Sequence, residues 1–312
     1  MLIFAIKSFI MINKKDFDVI IIGGSYAGLS AAMALGRSLR QVLIIDSGKP
    51  CNRQTPHSHN FLTQDGETPI AIRNKAKAQL LNYPTVHILE AKAIKASKEP
   101  ASFTVETEQG DVFAAKKILF TTGLKDIMPA IEGFAACWGI SVLHCPYCHG
   151  YEVRDKKIGL LGNGDVGYEF CKLISNWSKD LVLFTNGKST LTAEQTQKIK
   201  SKNIEVVQKG IKMIEHQQGQ IQNLVFTDQS TYAIAAMFAR PALEQHCGLL
   251  EALGCALTEQ GFIQVDDFQR TTVPGIYAAG DNTTMFRTVS MATAAGTKAG
   301  AVLNKELIDE QF

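Results

Sequence analysis

The feature that most constrains the fold is a glycine-rich turn between a strand and a helix, which occurs twice in the chain. The first copy is the segment "DVIIIGGSYAGLSAAMALGRSLRQVLIIDSG", residues 18–48. It predicts a buried strand at 19–22, a glycine turn, a helix rich in Ala and Leu, and a second strand ending at Asp46. Such a unit indicates an α/β chain with a parallel sheet covered by helices.

The first turn predicts a dinucleotide site. Gly23 permits the tight turn, Gly28 lets the helix approach the strand, and the helix N-terminus offers N–H groups to a pyrophosphate. Asp46 stands where a carboxylate accepts hydrogen bonds from ribose hydroxyls, whereas Ser25 replaces the second glycine of the G-x-G-x-x-G pattern. The residues predicted to line this site are Gly23, Gly24, Ser25, Tyr26, Ala27, Gly28, Asp46 and Ser47.

The second copy, "KKIGLLGNGDVGYEFCKLISNWSKDLVLFTNGKS", covers residues 156–189 and contains the complete glycine pattern. Its strands are predicted at 158–161 and 181–184. No acidic residue follows the second strand, which favours NADP slightly over NAD because no carboxylate would repel a 2′-phosphate; no arginine is present there either. The predicted NAD(P) residues are Gly162, Asn163, Gly164, Asp165, Val166, Gly167, Asn186 and Lys188.

Two further segments complete a flavin site. "KKILFTTG" (116–123) and "TTVPGIYAAGD" (271–281) each predict a strand that ends in a small-residue turn, and a helix begins near Val289. By itself, "AAGD" is better interpreted as a tight turn; together with the first fingerprint, its carboxylate can hold a ribityl hydroxyl. The residues predicted to join the FAD site here are Thr122, Gly123, Gly280, Asp281, Val289 and Ser290.

The segment "CPYCHG" (145–150) lies just before the second fingerprint. A zinc site would need a second, distant ligand pair, and Cys247 with Cys255 is poorly spaced for it, so we predict no metal. Disulfide exchange requires a thiolate, and an adjacent imidazole can accept a thiol proton. Cys145, Cys148 and His149 are therefore the predicted catalytic residues.

The order of these motifs resembles the low-molecular-weight thioredoxin reductases, which are pyridine nucleotide-disulfide oxidoreductases. The specific element is the C-x-x-C pair placed before the second fingerprint. Three segments are closer to the thioredoxin reductase-like dithiol oxidases: "PHSHNFLTQDG" (56–66), "FTNG" (184–187) and "VSMATAAG" (289–296). An ordinary thioredoxin reductase would carry a basic segment in place of "FTNG".

The resemblance implies an α/β fold with two Rossmann-like domains, one for FAD and one for NAD(P), the second inserted in the first. We expect the FAD domain at 1–123 and 239–312, and the NAD(P) domain with the C-x-x-C pair at 124–238. The domain crossings are expected near 123–129 and 238–241, where domain rotation would hinge. A homodimer is also implied.

The resemblance also implies roles for individual residues. Arg53 and His59 are expected at the FAD, and Asp281 at its ribityl chain. Cys148 corresponds to the flavin-facing cysteine, and Cys145 to the one that forms the mixed disulfide with substrate. His149 stands where ordinary thioredoxin reductases carry aspartate.

Three functions follow as alternatives. The first is an NAD(P)H-dependent, FAD-containing reductase that passes electrons through Cys145–Cys148 to a thioredoxin-like protein or a small disulfide. The second is a dithiol oxidase that forms a disulfide in its substrate, with oxygen as acceptor. The third is a non-catalytic flavoprotein that senses redox state.

Composition excludes other classes. The 312 residues include 32 Lys and Arg and 30 Asp and Glu, and no basic cluster indicates nucleic-acid binding. No apolar stretch approaches the ~20 residues of a membrane span. Seven scattered cysteines are typical of a reducing compartment, so we expect a cytoplasmic protein. Residues 1–10 are interpreted as an upstream extension, or else as a membrane-surface helix.

Overall fold

The computed structural model describes residues 15–312, so the interpretation of residues 1–10 lies outside the described part. The strands are β1 (Asp16–Ile22), β2 (Val42–Asp46), β3 (Val86–Glu90), β4 (Ala93–Lys98), β5 (Phe103–Thr107), β6 (Val112–Phe120), β7 (Leu124–Ile127), β8 (Val142–Leu143), β9 (Ile158–Leu161), β10 (Leu181–Phe184), β11 (Glu205–Val207), β12 (Ile211–Gln217), β13 (Gln220–Phe226), β14 (Thr231–Tyr232), β15 (Ala236–Ala239), β16 (Ala242–Gln245) and β17 (Ile276–Ala278). The helices are α1 (Tyr26–Arg37), α2 (Pro69–Leu80), α3 (Phe134–Cys137), α4 (Pro146–His149), α5 (Gly164–Ile174), α6 (Ala193–Ser201), α7 (Leu249–Ala252) and α8 (Val289–Asp309), with a 3₁₀ turn at Asp281–Thr283.

The chain forms two compact units, and segments of the first flank the second in sequence. Within the described residues, the first unit contains 15–49, 73–123 and 245–312, and the second contains 50–72 and 124–244. The expected α/β architecture with one inserted domain is confirmed. None of the described helices is both long and apolar enough to cross a bilayer.

The unit boundaries differ from the predicted domain limits in two places. Residues 50–72 group with the second unit, and the return to the first unit falls after residue 244 rather than 238. The first difference has a local cause, since Gln54 Nε2 donates to the Ala135 carbonyl oxygen at 3.2 Å. Because this hydrogen bond is made by a side chain, the hydrophobic pattern of the sequence does not predict it.

The first unit is built on a seven-stranded sheet of order β3-β2-β1-β6-β5-β4, with β17 pairing on β6. Strands β3, β2, β1, β6 and β17 are parallel, whereas β4 and β5 add an antiparallel edge. Alternate residues of β1 enter different cores: Ile20 and Ile22 pack on one face, Val19 and Ile21 on the other. The carboxyl ends of the parallel strands therefore meet at one edge, where ligands bind in folds of this kind.

Helix α8 packs closely on α1 because two glycines on α8 leave room for the α1 backbone. A Cβ on Gly296 would lie 2.0 Å from the Ala27 carbonyl oxygen, and one on Gly300 would lie 2.6 Å from that of Ala31. The contact fixes the start of α1, which follows the first glycine turn. It also brings the C-terminal helix to the edge of the sheet that carries this turn.

The second unit contains a parallel sheet of order β11-β10-β9-β15-β8 and an antiparallel sheet of order β12-β13-β14. The predicted strands 158–161 and 181–184 are confirmed as β9 and β10, with Leu160 paired to Leu183. Both are buried runs, as expected for strands covered on two faces.

The segments near the expected crossings form a small sheet of their own. Strands β7 and β16 pair with each other, and the Lys125 ammonium lies 2.6 Å from the Glu244 carboxylate. Both side chains are about half exposed, so this ion pair contributes little to stability.

The packing of α8 on α1 predicts the effect of Gly296→Ala. In an open helix this change would stabilise by about 1 kcal/mol, but overpacking against Ala27 costs about 1–3 kcal/mol. We expect a lower free energy of unfolding in urea denaturation followed by circular dichroism.

The matched control is Gly248→Ala. Gly248 has φ of −77° and no atom within 4 Å of its added Cβ, so its effect should stay below about 1 kcal/mol. A Gly296→Ala variant as stable as the wild type would contradict the close approach.

Candidate active site

Cys145 and Cys148 lie at the start of the four-residue helix α4. Cys145 precedes the helix in an extended conformation, and the N–H groups of Cys148 and His149 donate to its carbonyl oxygen at 3.2 and 3.1 Å. Gly150 ends the turn against Trp177, whose ring lies 2.8 Å from the position of an added Cβ. The side chains of Tyr147 and Trp177 meet edge to face at 5.5 Å, which holds the helix in place.

The structure favours Cys145 as the reactive thiolate. The pKa of its thiol is lowered to about 7, first because the Cys148 side chain hydrogen-bonds to its sulfur, and also because the N–H groups of Tyr147 and Cys148 point to it; burial opposes the shift. A thiol with this pKa is about half ionised at neutral pH. By contrast, burial raises the pKa of the Cys137, Cys171, Cys247 and Cys255 thiols, which leaves them protonated.

His149, the third predicted catalytic residue, is a partly buried imidazole in the same turn. Burial lowers its pKa, the Glu152 carboxylate raises it, and His59 lowers it. The lowered pKa keeps the ring neutral at pH 7, so it can accept a proton.

His59 lies in the dithiol-containing unit, on the loop between residues 57 and 67. The loop is closed by hydrogen bonds from Gly66 N to the Ser58 carbonyl oxygen and from Ser58 N to that of Glu67. The two ring nitrogens of His59 lie 3.6 Å from carboxylate oxygens of Asp65 and Glu152. The family resemblance predicted His59 at the FAD, and the structure places it beside Asp65 and Glu152; sequence reasoning did not single out Glu152.

The first glycine turn has the geometry of a phosphate cradle. Gly23 has φ of +107°, and a Cβ on it would lie 2.4 Å from the Thr121 carbonyl oxygen. Ser25 precedes α1 without capping it through its side chain, and the first turn carries no acidic residue. The first N–H groups of α1 thus have no intrahelical partner and no acidic side chain within their own turn.

The other residues predicted for this site gather at the same sheet edge. Gly280 has φ of +95°, and its added Cβ would lie 3.0 Å from Ala27 Cβ. The Thr122 hydroxyl is buried and has no hydrogen-bond partner among residues 15–312. Asp281 lies 3.6 Å from Arg287 Nε. A glycine cradle, an unpaired buried hydroxyl and a carboxylate at one edge fit the pyrophosphate, a polar group and the ribityl chain of FAD.

Asp46 ends β2 next to Gly24, as predicted, but it already has cationic neighbours. Arg73 Nη2 bonds to its carboxylate, and Lys77 Nζ lies 3.8 Å away. The two cations are one turn apart on α2, and burial followed by the charge of Arg73 lowers the pKa of Lys77. A helical i,i+4 pair of cations is a common surface pattern, so nothing in it predicts a contact with Asp46.

The other residues predicted for FAD lie in loops and at the start of α8. Ser47 and Arg53 are exposed, with Arg53 Nη1 3.3 Å from the Pro50 carbonyl oxygen. Val289 begins α8, as predicted, and the Ser290 hydroxyl lies 3.0 Å from that of Thr288, which caps the helix. Gly123 ends the β6 turn with φ of +65°.

The second glycine turn is held by its own loop. Asn163 Oδ1 accepts hydrogen bonds from Gly164 N at 2.9 Å and from Thr190 N and Oγ1 at 2.8 and 3.1 Å, while Asn163 Nδ2 donates to the Lys188 carbonyl oxygen at 2.9 Å. Thr190 Oγ1 lies 2.9 Å from the position of a Cβ on Gly164. Thr190 therefore takes up the space at the glycine that a pyrophosphate would approach.

Other predicted NAD(P) residues are also engaged. Asn186 Oδ1 accepts from Ile211 N at 2.7 Å, and Asp165 Oδ1 accepts from Gln195 Nε2 at 2.7 Å. Gly162 and Gly167 face each other at the expected close approach, and Val166 is exposed. The Rossmann turn is present, but its phosphate end is capped by Asn163 and carries Asp165 in the first helical turn, so it fits a pyrophosphate less well than the first turn.

Within residues 15–312, no cluster of three or more His, Cys, Asp or Glu side chains has the arrangement of a metal site.

Comparison with known proteins agrees with this geometry. Residues 17–296 match the family model of pyridine nucleotide-disulphide oxidoreductases. The chain is 31% identical over 309 residues to thioredoxin reductase tcpT of Claviceps purpurea, with 96% of each chain covered. An oxidoreductase structure from Agrobacterium tumefaciens shares 35% identity with a TM-score of 0.88, covering 94% of this chain and 99% of that one. The structure of HlmI shares 32% identity with a TM-score of 0.89, covering 95% and 94%.

The chain therefore belongs to the pyridine nucleotide-disulphide oxidoreductases. It is a flavoprotein oxidoreductase of the thioredoxin reductase-like kind, as the resemblance implied. Membership of this family implies FAD and a nicotinamide dinucleotide as cofactors.

The geometry at Cys145 predicts a pH profile for its alkylation. In the reduced protein, the rate of iodoacetamide modification of Cys145, followed by mass spectrometry, should rise with pH around a midpoint of about 7, because only the thiolate reacts. Cys148→Ala removes the main hydrogen-bond donor and should move the midpoint toward the ~8.5 of a free thiol. Cys247→Ala is the control and should leave it in place; an unshifted midpoint in Cys148→Ala would refute the assignment.

Proposed function

We propose that the protein is an FAD-dependent thiol–disulfide oxidoreductase that acts through Cys145 and Cys148 on a thioredoxin-like protein or a small dithiol or disulfide. The observation that carries the proposal is the pair Cys145 and Cys148 at α4, in which the Cys148 side chain hydrogen-bonds to Cys145 and lowers its pKa to about 7. The first domain would hold FAD and the second the dithiol, and a homodimer remains a prediction.

Exchange with a dithiol substrate proceeds by two successive thiolate attacks. A substrate thiolate attacks Cys145 Sγ of the oxidised pair, the Cys145–Cys148 bond breaks, and Cys148 leaves as a thiolate. The second substrate thiolate attacks the substrate sulfur of the mixed disulfide and releases Cys145. The substrate loses two electrons and the cysteine pair gains them. His149, which is neutral at pH 7, accepts the proton of the attacking thiol. Reduction of a disulfide substrate is the reverse sequence.

The chain's own groups would hold FAD at the first glycine turn. We propose that the N–H groups at the start of α1, beside Gly23 and Gly24, bind its pyrophosphate, that Thr122 donates to it, and that Asp281 holds the ribityl chain. Asp46 with Arg73 would face the adenosine ribose. When bound, FAD supplies a two-electron acceptor and donor for the cysteine pair.

The second candidate function is a dithiol oxidase with oxygen as acceptor. The observation that favours it is the loop at 185–190, whose Thr190 closes the second glycine turn by hydrogen bonding to Asn163. The complete glycine pattern supports the alternative, a reductase driven by NADPH or NADH. The missing acid after β10 and the exposed Lys188 make NADPH the expected nucleotide in that case.

Anaerobic reduction of the flavin distinguishes these functions. Holoprotein is mixed separately with NADPH, NADH and dithiothreitol while flavin absorbance is followed. Bleaching by a nucleotide supports the reductase. Bleaching by the dithiol alone, with recovery and peroxide release in air, supports the oxidase. If no donor bleaches the flavin, the proposed function is wrong and the protein is a redox sensor at most.

The same assay tests the cysteine roles. Cys148→Ser should abolish bleaching by dithiothreitol, a loss of at least about a hundredfold, because the pair can no longer form a disulfide. Cys171→Ser, a buried thiol with its pKa raised to about 12, is the matched control and should react at the wild-type rate. Unchanged bleaching in Cys148→Ser would contradict the role of the pair.

A further inference from the structure

His59 and Glu152 form a polar bridge next to the dithiol turn. His59 comes from the loop at 57–67, whereas Glu152 follows the dithiol helix α4 by three residues. The 3.6 Å separation of His59 Nε2 from Glu152 Oε1 joins two segments about ninety residues apart in sequence. The His59 side chain is 20% exposed and that of Glu152 is 40% exposed, so the pair is partly shielded from water.

The imidazole of His59 is held from both sides. Its Nδ1 faces Asp65 Oδ1 at 3.6 Å on its own loop, and its Nε2 faces Glu152. The loop that carries it is itself fixed, since Asn60 N donates to Asp65 Oδ1 at 2.7 Å and His57 Nδ1 lies 2.8 Å from the Gly66 carbonyl oxygen. The fixed loop thus places the His59 imidazole 3.6 Å from the Glu152 carboxylate.

The charges of both residues affect the pKa of the His149 imidazole. Glu152 raises the pKa of the His149 imidazole and His59 lowers it, against the larger effect of burial. The titratable groups that face the bridge are Asp65 and His57 on the loop and His149 on the dithiol segment. The Glu152 side chain is 40% exposed, so its carboxylate also contacts solvent.

We propose that His59 and Glu152 are positioning residues of the dithiol centre, which act through His149 on the proton transfers of thiol–disulfide exchange. The role rests on the proposed function, because His149 has a proton to accept only if a thiol attacks the Cys145–Cys148 disulfide. Glu152 makes His149 a stronger base, and His59 limits that effect and holds the carboxylate. No bond other than those to protons changes at these residues.

The test uses the oxidised full-length holoprotein and dithiothreitol as the dithiol probe. Loss of the Cys145–Cys148 disulfide is measured by quenched alkylation and mass spectrometry across pH. Glu152→Gln should slow the exchange by about three- to tenfold at pH 7, because His149 becomes a weaker base. The acid limb of the pH–rate profile should move to lower pH in Glu152→Gln and to higher pH in His59→Asn. Ionisation of the probe is the same for every variant.

These opposite displacements separate positioning from a structural role, since a folding defect would lower both rates without moving the limbs apart. Glu152→Asp should recover part of the rate. The matched control is Glu169→Gln, an exposed carboxylate of the same unit paired with Lys172, and it should match the wild type.

A second measurement is independent of exchange. The pKa of His149, followed by ¹³C-histidine NMR and assigned with His149→Gln, should fall in Glu152→Gln and rise in His59→Asn. An unmoved His149 titration, or a Glu152→Gln profile that overlays the wild type, overturns the inference. If the wild type itself fails to exchange with the probe while the His149 shifts appear, the proposed function is at fault and the bridge stands.

Discussion

The structure of the first unit depends on close backbone approach at its glycine positions. Gly23 lies against Thr121, Gly28 lies against the Gly23 carbonyl oxygen, and Gly296 lies against the backbone of α1. A side chain at any of these points would separate the helix from the sheet or one helix from the other. The parallel strands, the start of α1 and the C-terminal helix thus meet at one edge. Gly23, Gly280 and Asp281, which were predicted for FAD, lie there, whereas Arg53 and His59 lie in the second unit.

The two glycine turns show how similar backbones can differ in what they bind. At the first, Ser25 leaves the helix N-terminus uncapped and no acid stands in the first turn. At the second, Asn163 caps the helix and ties the 185–190 loop to it, and Asp165 adds negative charge. Since a helix N-terminus attracts an anion only where its N–H groups are available, the first turn is the better phosphate site.

Proton chemistry at the dithiol is divided among several side chains. Cys148 lowers the pKa of Cys145, so one sulfur is a thiolate near neutral pH and the other acts as its donor. Burial keeps His149 neutral, while Glu152 and His59 adjust it in opposite directions. The centre therefore combines a nucleophile and a base whose protonation states depend on neighbouring groups and not only on the residue type.

The sequence by itself determined the elements around the two glycine turns and the order of the motifs. Strands β9 and β10, the two glycine turns, the start of α8 and the C-x-x-C turn are all local patterns, because a buried strand or a tight turn imposes its own residue types. Tertiary structure alone decided which distant side chains meet: Glu152 with His59, Arg73 with Asp46, and Thr190 with Gly164. These pairs involve common surface residues with no periodicity, and only folding brings them within a few ångströms of each other.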